Sequence, residues 1–240
     1  MSRFLRVFPV LAAVLLLGLA VQAQENSVGI TGKGIKLGAG WGSLSTNNEA
    51  FESGSTAGFA AAAFLTYSFT PKLALQPEVM YVRKGAGENY IFVGDGYKLG
   101  YLEFPVLLKY KLVDGKRLIP SLFAGPAVST LLSAEIYQDN FFSDDEVYDV
   151  KDGMKSVDFG LVFGGEVAFQ STRQVKFFLD VRYTLGLNNV IDPVKWNDGR
   201  EIVDEGDWGI FHWTDYNRPL IEEDVEVKNQ VFSFLIGIRF

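Results

Sequence analysis

The chain contains no cysteine. That excludes disulfides, thiolate nucleophiles and thiolate metal sites, so stability must come from packing and backbone hydrogen bonds. It has one histidine, His212, too few for a histidine-based metal centre. Positive charge is scarce: 22 Lys and Arg stand against 29 Asp and Glu, a formal net charge of −7. This balance disfavours nucleic acid and anionic surfaces as partners. Long apolar runs are also missing after the first residues. The one such run, Val7–Val21, follows Arg3 and Arg6 and precedes Val21-Gln22-Ala23. It reads as an export signal over residues 1–23, since its apolar core is short for a span of about 20 residues. Cleavage before Gln24 would leave one domain, residues 24–240, with a net charge of −9 once Arg3 and Arg6 are gone.

Hydrophobic residues nevertheless make up 48% of the chain, with 20 Phe and 10 Tyr. They alternate with other residues, which is the period of a strand. Eight such stretches are predicted: Gly34–Gly42, Thr56–Phe69, Leu73–Arg83, Lys98–Lys111, Ile119–Leu132, Ser156–Phe169, Val175–Leu187 and Gln230–Phe240. Short links near Thr70–Lys72, Val113–Arg117 and Gln170–Gln174 take turns with long ones at Ser43–Ser55, Lys84–Tyr97, Ser133–Lys155 and Asn188–Asn229. Strict alternation of short and long links, with both chain ends on the short side, describes an all-β, eight-stranded, antiparallel, up-and-down transmembrane β-barrel with long extracellular loops.

Which face carries the charge decides between a soluble and a membrane barrel. Phe, Leu, Val and Tyr line one face almost continuously. The other carries Gly and a nearly balanced set of charges: Lys36, Glu78, Glu103, Lys109, Asp158, Glu166, Asp180, Arg182 and Arg239. In lipid every backbone polar group needs an internal partner, so the sheet must close, and eight strands leave an interior just filled by side chains. The charged set is therefore expected inside as an ion-pair network. Trp41, Tyr67, Tyr81, Tyr110 and Tyr183 fall near the strand ends, where amphipathic rings favour the headgroup level. Pro77, Pro105, Pro120 and Pro126 lie within predicted strands. Proline removes a ladder donor, so bulges or strand-end positions are expected there.

Several short motifs in order resemble the PorT-like outer-membrane β-barrel family of Bacteroidetes-type bacteria. They are Gln76-Pro77-Glu78 with Tyr81 and Lys84-Gly85, then Tyr101-Leu102-Glu103-Phe104-Pro105, then Ala124-Gly125-Pro126. Asp180-Val181-Arg182-Tyr183 with Gly186-Leu187, and the ending Gly237-Ile238-Arg239-Phe240, complete the set. The resemblance covers nearly the whole of residues 24–240. It implies an outer-membrane location and a fold that tolerates prolines in its strands. It implies no shared catalytic residues, and a role in protein secretion for some relatives only. Phe240 and Ile238 also resemble the terminal signal that delivers such barrels to their assembly machinery.

Candidate chemistry is sparse. Glu78 and Glu103 fall on the inward face of neighbouring strands, where paired carboxylates can act as acid and base in glycoside hydrolysis or as half of the ion-pair network. His212, with Thr214 and Asp215, could form a lipid-modifying site at the membrane edge, but no serine nucleophile lies beside it. The longest link holds Trp196, Trp208 and Trp213 beside His212, a set suited either to contacting a partner or to folding the loop on itself. Glu135, Asp139, Asp144, Asp145, Glu146, Asp149 and Asp152 could offer oxygen ligands to Ca²⁺ or simply be solvated. The expectation is a non-enzymatic outer-membrane barrel with no cofactor. Its expected partners are outer-membrane lipid, the assembly machinery and an unknown protein met by its loops. The alternatives are an accessory barrel of a secretion assembly or a lipid-modifying enzyme.

Overall fold

Alternation becomes strand almost wherever it occurs. The computed structural model describes residues 28–47, 54–87, 95–113, 118–138, 146–170, 175–192 and 225–240; the expected export signal lies outside them. The described residues form nine strands. They are β1 (Gly29–Thr46), β2 (Thr56–Ser68), β3 (Leu73–Gly87), β4 (Asp95–Lys111), β5 (Leu118–Gln138), β6 (Glu146–Asp149), β7 (Val157–Gln170), β8 (Lys176–Gly186) and β9 (Val227–Arg239). Every pairing is antiparallel. β1 pairs with β2 on one side and β9 on the other, and β4 pairs with β5, so eight strands close on themselves. β6 stands outside the ring as a short addition to the far end of β5.

Closure settles which face is which. Ile35, Leu37, Trp41, Phe104, Leu108, Phe159, Phe163, Phe177, Phe232 and Ile236 are exposed, whereas Lys36, Glu78, Asp180 and Arg182 are buried. On β7 the outward apolar face runs from Val157 to Phe169. Twelve steps of ~3.3 Å at a tilt near 40° give roughly 30 Å of height, the thickness of a hydrocarbon core. Water-exposed residues of this kind would cost about 25 cal/mol per Å² of apolar area, so the band faces lipid. Trp41, Tyr67 and Tyr110 are exposed at its edges.

Inside, glycine makes room for rings. Phe64, Phe123 and Phe178 point inward and are buried. A Cβ on Gly237 would lie 2.3 Å from Phe178 Cζ and 2.7 Å from Ile35 O. Gly85 is required for another reason: its φ is +138°, and a Cβ there would lie 1.8 Å from Tyr97 O.

Three sequence expectations need correction. The strands on the extracellular side run further than alternation suggested, β3 to Gly87 and β5 to Gln138, because the sheet continues above the lipid, where the outward face need not be apolar. Part of the third long link is strand too, since Glu135–Gln138 pairs with β6. The prolines do not sit at bulges. The register shifts occur at Ile30/Gly32 and Gly100/Tyr101. At Pro77, Pro105 and Pro126 the ladder lapses and then resumes in the same register: β2–β3 pairing stops at Phe64↔Glu78 and returns at Tyr67↔Leu75, β3–β4 stops at Pro77↔Val106 and returns at Met80↔Glu103, and β4–β5 stops at Pro105↔Ala127 and returns at Leu108↔Ala124. A missing N–H costs one bond but leaves an extended φ intact, so a closed barrel skips the pair instead of inserting a residue. Thr66 Oγ1 donates to Gln76 Oε1, 3.0 Å, across the first lapse. Pro120 is the third residue of β5 and keeps its pairing with Val167.

Candidate functional site

Three ion clusters are stacked along the lumen. In the middle one, Arg182 Nε donates to Asp180 Oδ1 (2.9 Å) and its Nη1 to Glu78 Oε2 (2.9 Å). Lys36 Nζ lies 2.6 Å from Glu78 Oε1 and 2.9 Å from Asp180 Oδ2. Two acids and two bases make it neutral, and all four side chains are fully buried. Toward the extracellular side, Lys84 Nζ lies 2.9 Å from Glu103 Oε2 and 3.3 Å from Asp158 Oδ2, with 4.7 Å to the Tyr101 ring. Ser129 Oγ donates to Glu103 (3.0 Å) and Asn229 Nδ2 to Asp158 (2.9 Å). Toward the periplasmic side, Arg239 Nη2 donates to both oxygens of Glu166, 2.8 Å each, and Lys109 Nζ lies against the same carboxylate.

All nine charged positions singled out in the sequence therefore face the lumen, and the structure gathers them into these three groups. A tenth, Lys84, was missed. It continues the inward parity of Gln76, Glu78, Met80 and Val82, but stood where the link seemed to begin. Lys84 brings the count to five acids and five bases. Buried charges are tolerated when they are paired, and each of these ten has an opposite charge within 3.3 Å. Glu78 and Glu103 fall into separate clusters, each engaged by its own cations, so the two carboxylates do not form a shared acid–base site.

Above the clusters the barrel is capped by apolar packing. Val150, Met154, Val190, Ile191 and Val225 from the loops are buried among Leu44, Val82, Leu99, Leu131, Val227 and Val231. Asn189, which the sequence gave no reason to single out, clasps the root of the longest link. Its Oδ1 accepts from Ile191 N–H and Val227 N–H, 3.1 Å each, and its Nδ2 donates to Val225 O at 2.7 Å. Trp196, Trp208, His212 and Trp213 lie outside the described residues, as do Thr214 and Asp215. Of the acidic third link, Asp139, Asp144 and Asp145 lie outside them too, while Asp149 Oδ1 accepts Lys151 N–H at 2.9 Å as a turn does. Among the described residues no group of three or more His, Cys, Asp or Glu is placed to hold a metal. Ile238 is part of β9, and Phe240 is exposed on the band.

Residues 22–192 match the family model described as outer membrane protein beta-barrel domain. The chain belongs to that family. It is an outer-membrane protein, in keeping with the outward apolar band. No curated protein matches it. Among solved structures, this outer-membrane barrel is similar to Neisserial surface protein A (NspA), at 14% identity over 86% of this chain and 95% of that one, with a TM-score of 0.47. It is also similar to Ail, the attachment invasion locus protein of Yersinia pestis, at 12% identity over 87% of this chain and 98% of that one, with a TM-score of 0.40.

Proposed function

We propose that this barrel is a non-enzymatic surface protein whose outer loops, chiefly Asn188–Asn229, hold an extracellular or envelope partner. The observation that carries this reading is the filled interior. Each lumenal carboxylate is engaged by a cation, and an apolar cap closes the extracellular mouth, so the surface left for recognition is the loops. The Asn189 clasp supports the same reading. It ties together both roots of the longest link, residues 190–191 and 225–227. The link between these roots carries Trp196, Trp208, His212 and Trp213, and aromatic side chains dominate binding energy at interfaces. The PorT-like motifs support placing the chain in that branch of the family; deletion of the gene without any effect on protein secretion would leave the branch but remove a secretion role.

The test is photocrosslinking in intact cells from positions 196, 208 and 213. We expect one protein to be captured from these positions and none from position 72 on a short link of the same barrel. No protein captured from any of the three positions, or altered lipid mass spectra in a deletion strain, would overturn the reading.

A further inference from the structure

On β3, β4 and β5 the apolar band ends in a polar notch. Its last outward row there is Tyr81, Leu102 and Thr130, each directly opposite the next. The outward row above it is Arg83, Gly100 and Ser133, again in register. Ser133 reaches that row through a bulge. Gly100 pairs with Ser133 but Tyr101 with Leu131, so Leu132 is an extra residue and the parity of β5 reverses above it. Leu131 and Ala134, three positions apart, are accordingly both buried. Bulges re-aim side chains in this way.

Gly100 leaves the notch open. A Cβ there would lie 2.7 Å from Ser133 Oγ and 3.4 Å from Tyr81 Oη, so both hydroxyls stand over the space where a side chain is missing. Arg83 is exposed on one side of this space. Phe59, one step past the Ala60↔Val82 pair on β2, is exposed next to Arg83. Among the described residues, the side chains of Arg83, Tyr81 and Ser133 have no hydrogen-bond or ion-pair partner. One outward row higher, Lys98 stands opposite Glu135, so the cation of the notch itself is Arg83. An accessible guanidinium and two hydroxyls thus converge where hydrocarbon gives way to headgroups.

We propose that the notch binds the phosphate of an outer-leaflet lipid, with Arg83 and the hydroxyls of Tyr81 and Ser133 as its donors. An arginine fork suits phosphate geometry, and phosphate oxygens accept readily from hydroxyls. The position selects a lipid over a soluble anion. The notch opens on the lipid-facing side directly above Leu102, so acyl chains lie along the band while the headgroup meets Arg83. The chain as a whole carries a formal net charge of −7 and does not gather soluble anions.

The full barrel is unfolded in urea in phosphatidylcholine vesicles with and without phosphatidic acid, and again with inorganic phosphate in the buffer. Lys155→Gln removes an exposed cation elsewhere on the extracellular side and controls for general attraction to a charged surface. A ligand at ten times its dissociation constant raises the folding constant about 11-fold. The wild type and Lys155→Gln are expected to gain that factor from phosphatidic acid. Arg83→Gln, a substitution at an exposed position, should fold as well as the wild type without phosphatidic acid and lose most of the gain. Gly100→Ala, which fills the notch, should lose it too. A gain kept in full by Arg83→Gln or by Gly100→Ala, or one lost as completely by Lys155→Gln, would overturn the proposal. An Arg83-dependent gain from inorganic phosphate alone would overturn it as well, because the site would then take a soluble anion.

Discussion

Arg182→Ala tests the central physical claim, that the lumen is held by ion pairs and not merely filled. Arg182 gives hydrogen bonds to Asp180 and Glu78, and its guanidinium carbon lies 5.1 Å from the Phe123 ring. Without it the middle cluster keeps two carboxylates and one ammonium, Lys36, so one buried negative charge has no partner. Orphaning a buried charge in this way costs about 3–5 kcal/mol, or roughly 10²- to 10³·⁵-fold in the folding constant. With a urea slope of about 2 kcal/mol per molar, the unfolding midpoint should fall by about 2 M, followed by tryptophan fluorescence in micelles. The double variant Arg182→Ala/Glu78→Gln restores neutrality, with Lys36 facing Asp180, and should recover a large part of the loss. A shift below about 0.3 M for the single variant would refute the reasoning. A double variant as unstable as the single would move the cause from charge to the lost packing on Phe123.

Three further outcomes follow from the same structure. Gly237→Ala places a methyl against Phe178 Cζ, Ile35 O and Lys36 Cβ, all within 2.8 Å; it should cost about 1–3 kcal/mol, read from the same urea curves. Deleting Phe240 should lower the amount of folded barrel in the outer membrane, measured by heat-modifiable gel mobility, while unchanged insertion would remove it from the assembly signal. Planar-bilayer recording should give no steady conductance, because ion clusters and the apolar cap fill the lumen; a large stable current would mean the cap is not closed.

Fold class was legible in the sequence because lipid imposes a simple rule. Each outward residue must be apolar, so Phe159, Leu161 and Phe163 announce their face, and Asp158 and Gly160 theirs. That rule ends at the headgroups. Beyond them β3 and β5 continue with both faces free to vary, which is why Lys84 passed for loop and Glu135–Gln138 for link. The prolines were misjudged for a different reason. Their cost was assigned to register, whereas closure fixes the register around the whole ring and leaves only single bonds to be lost. Asn189 was hidden too, because it acts through backbone contacts that no motif encodes.

β5 continues for eight residues past Thr130, which ends its lipid-facing stretch. At ~3.3 Å per residue and a tilt near 40° that is roughly 20 Å of rise. The barrel is thus a mast as well as an anchor. Whatever docks at its tip does so clear of the bilayer, and a tag grafted between Gln138 and Glu146 would stand within reach of an antibody on living cells.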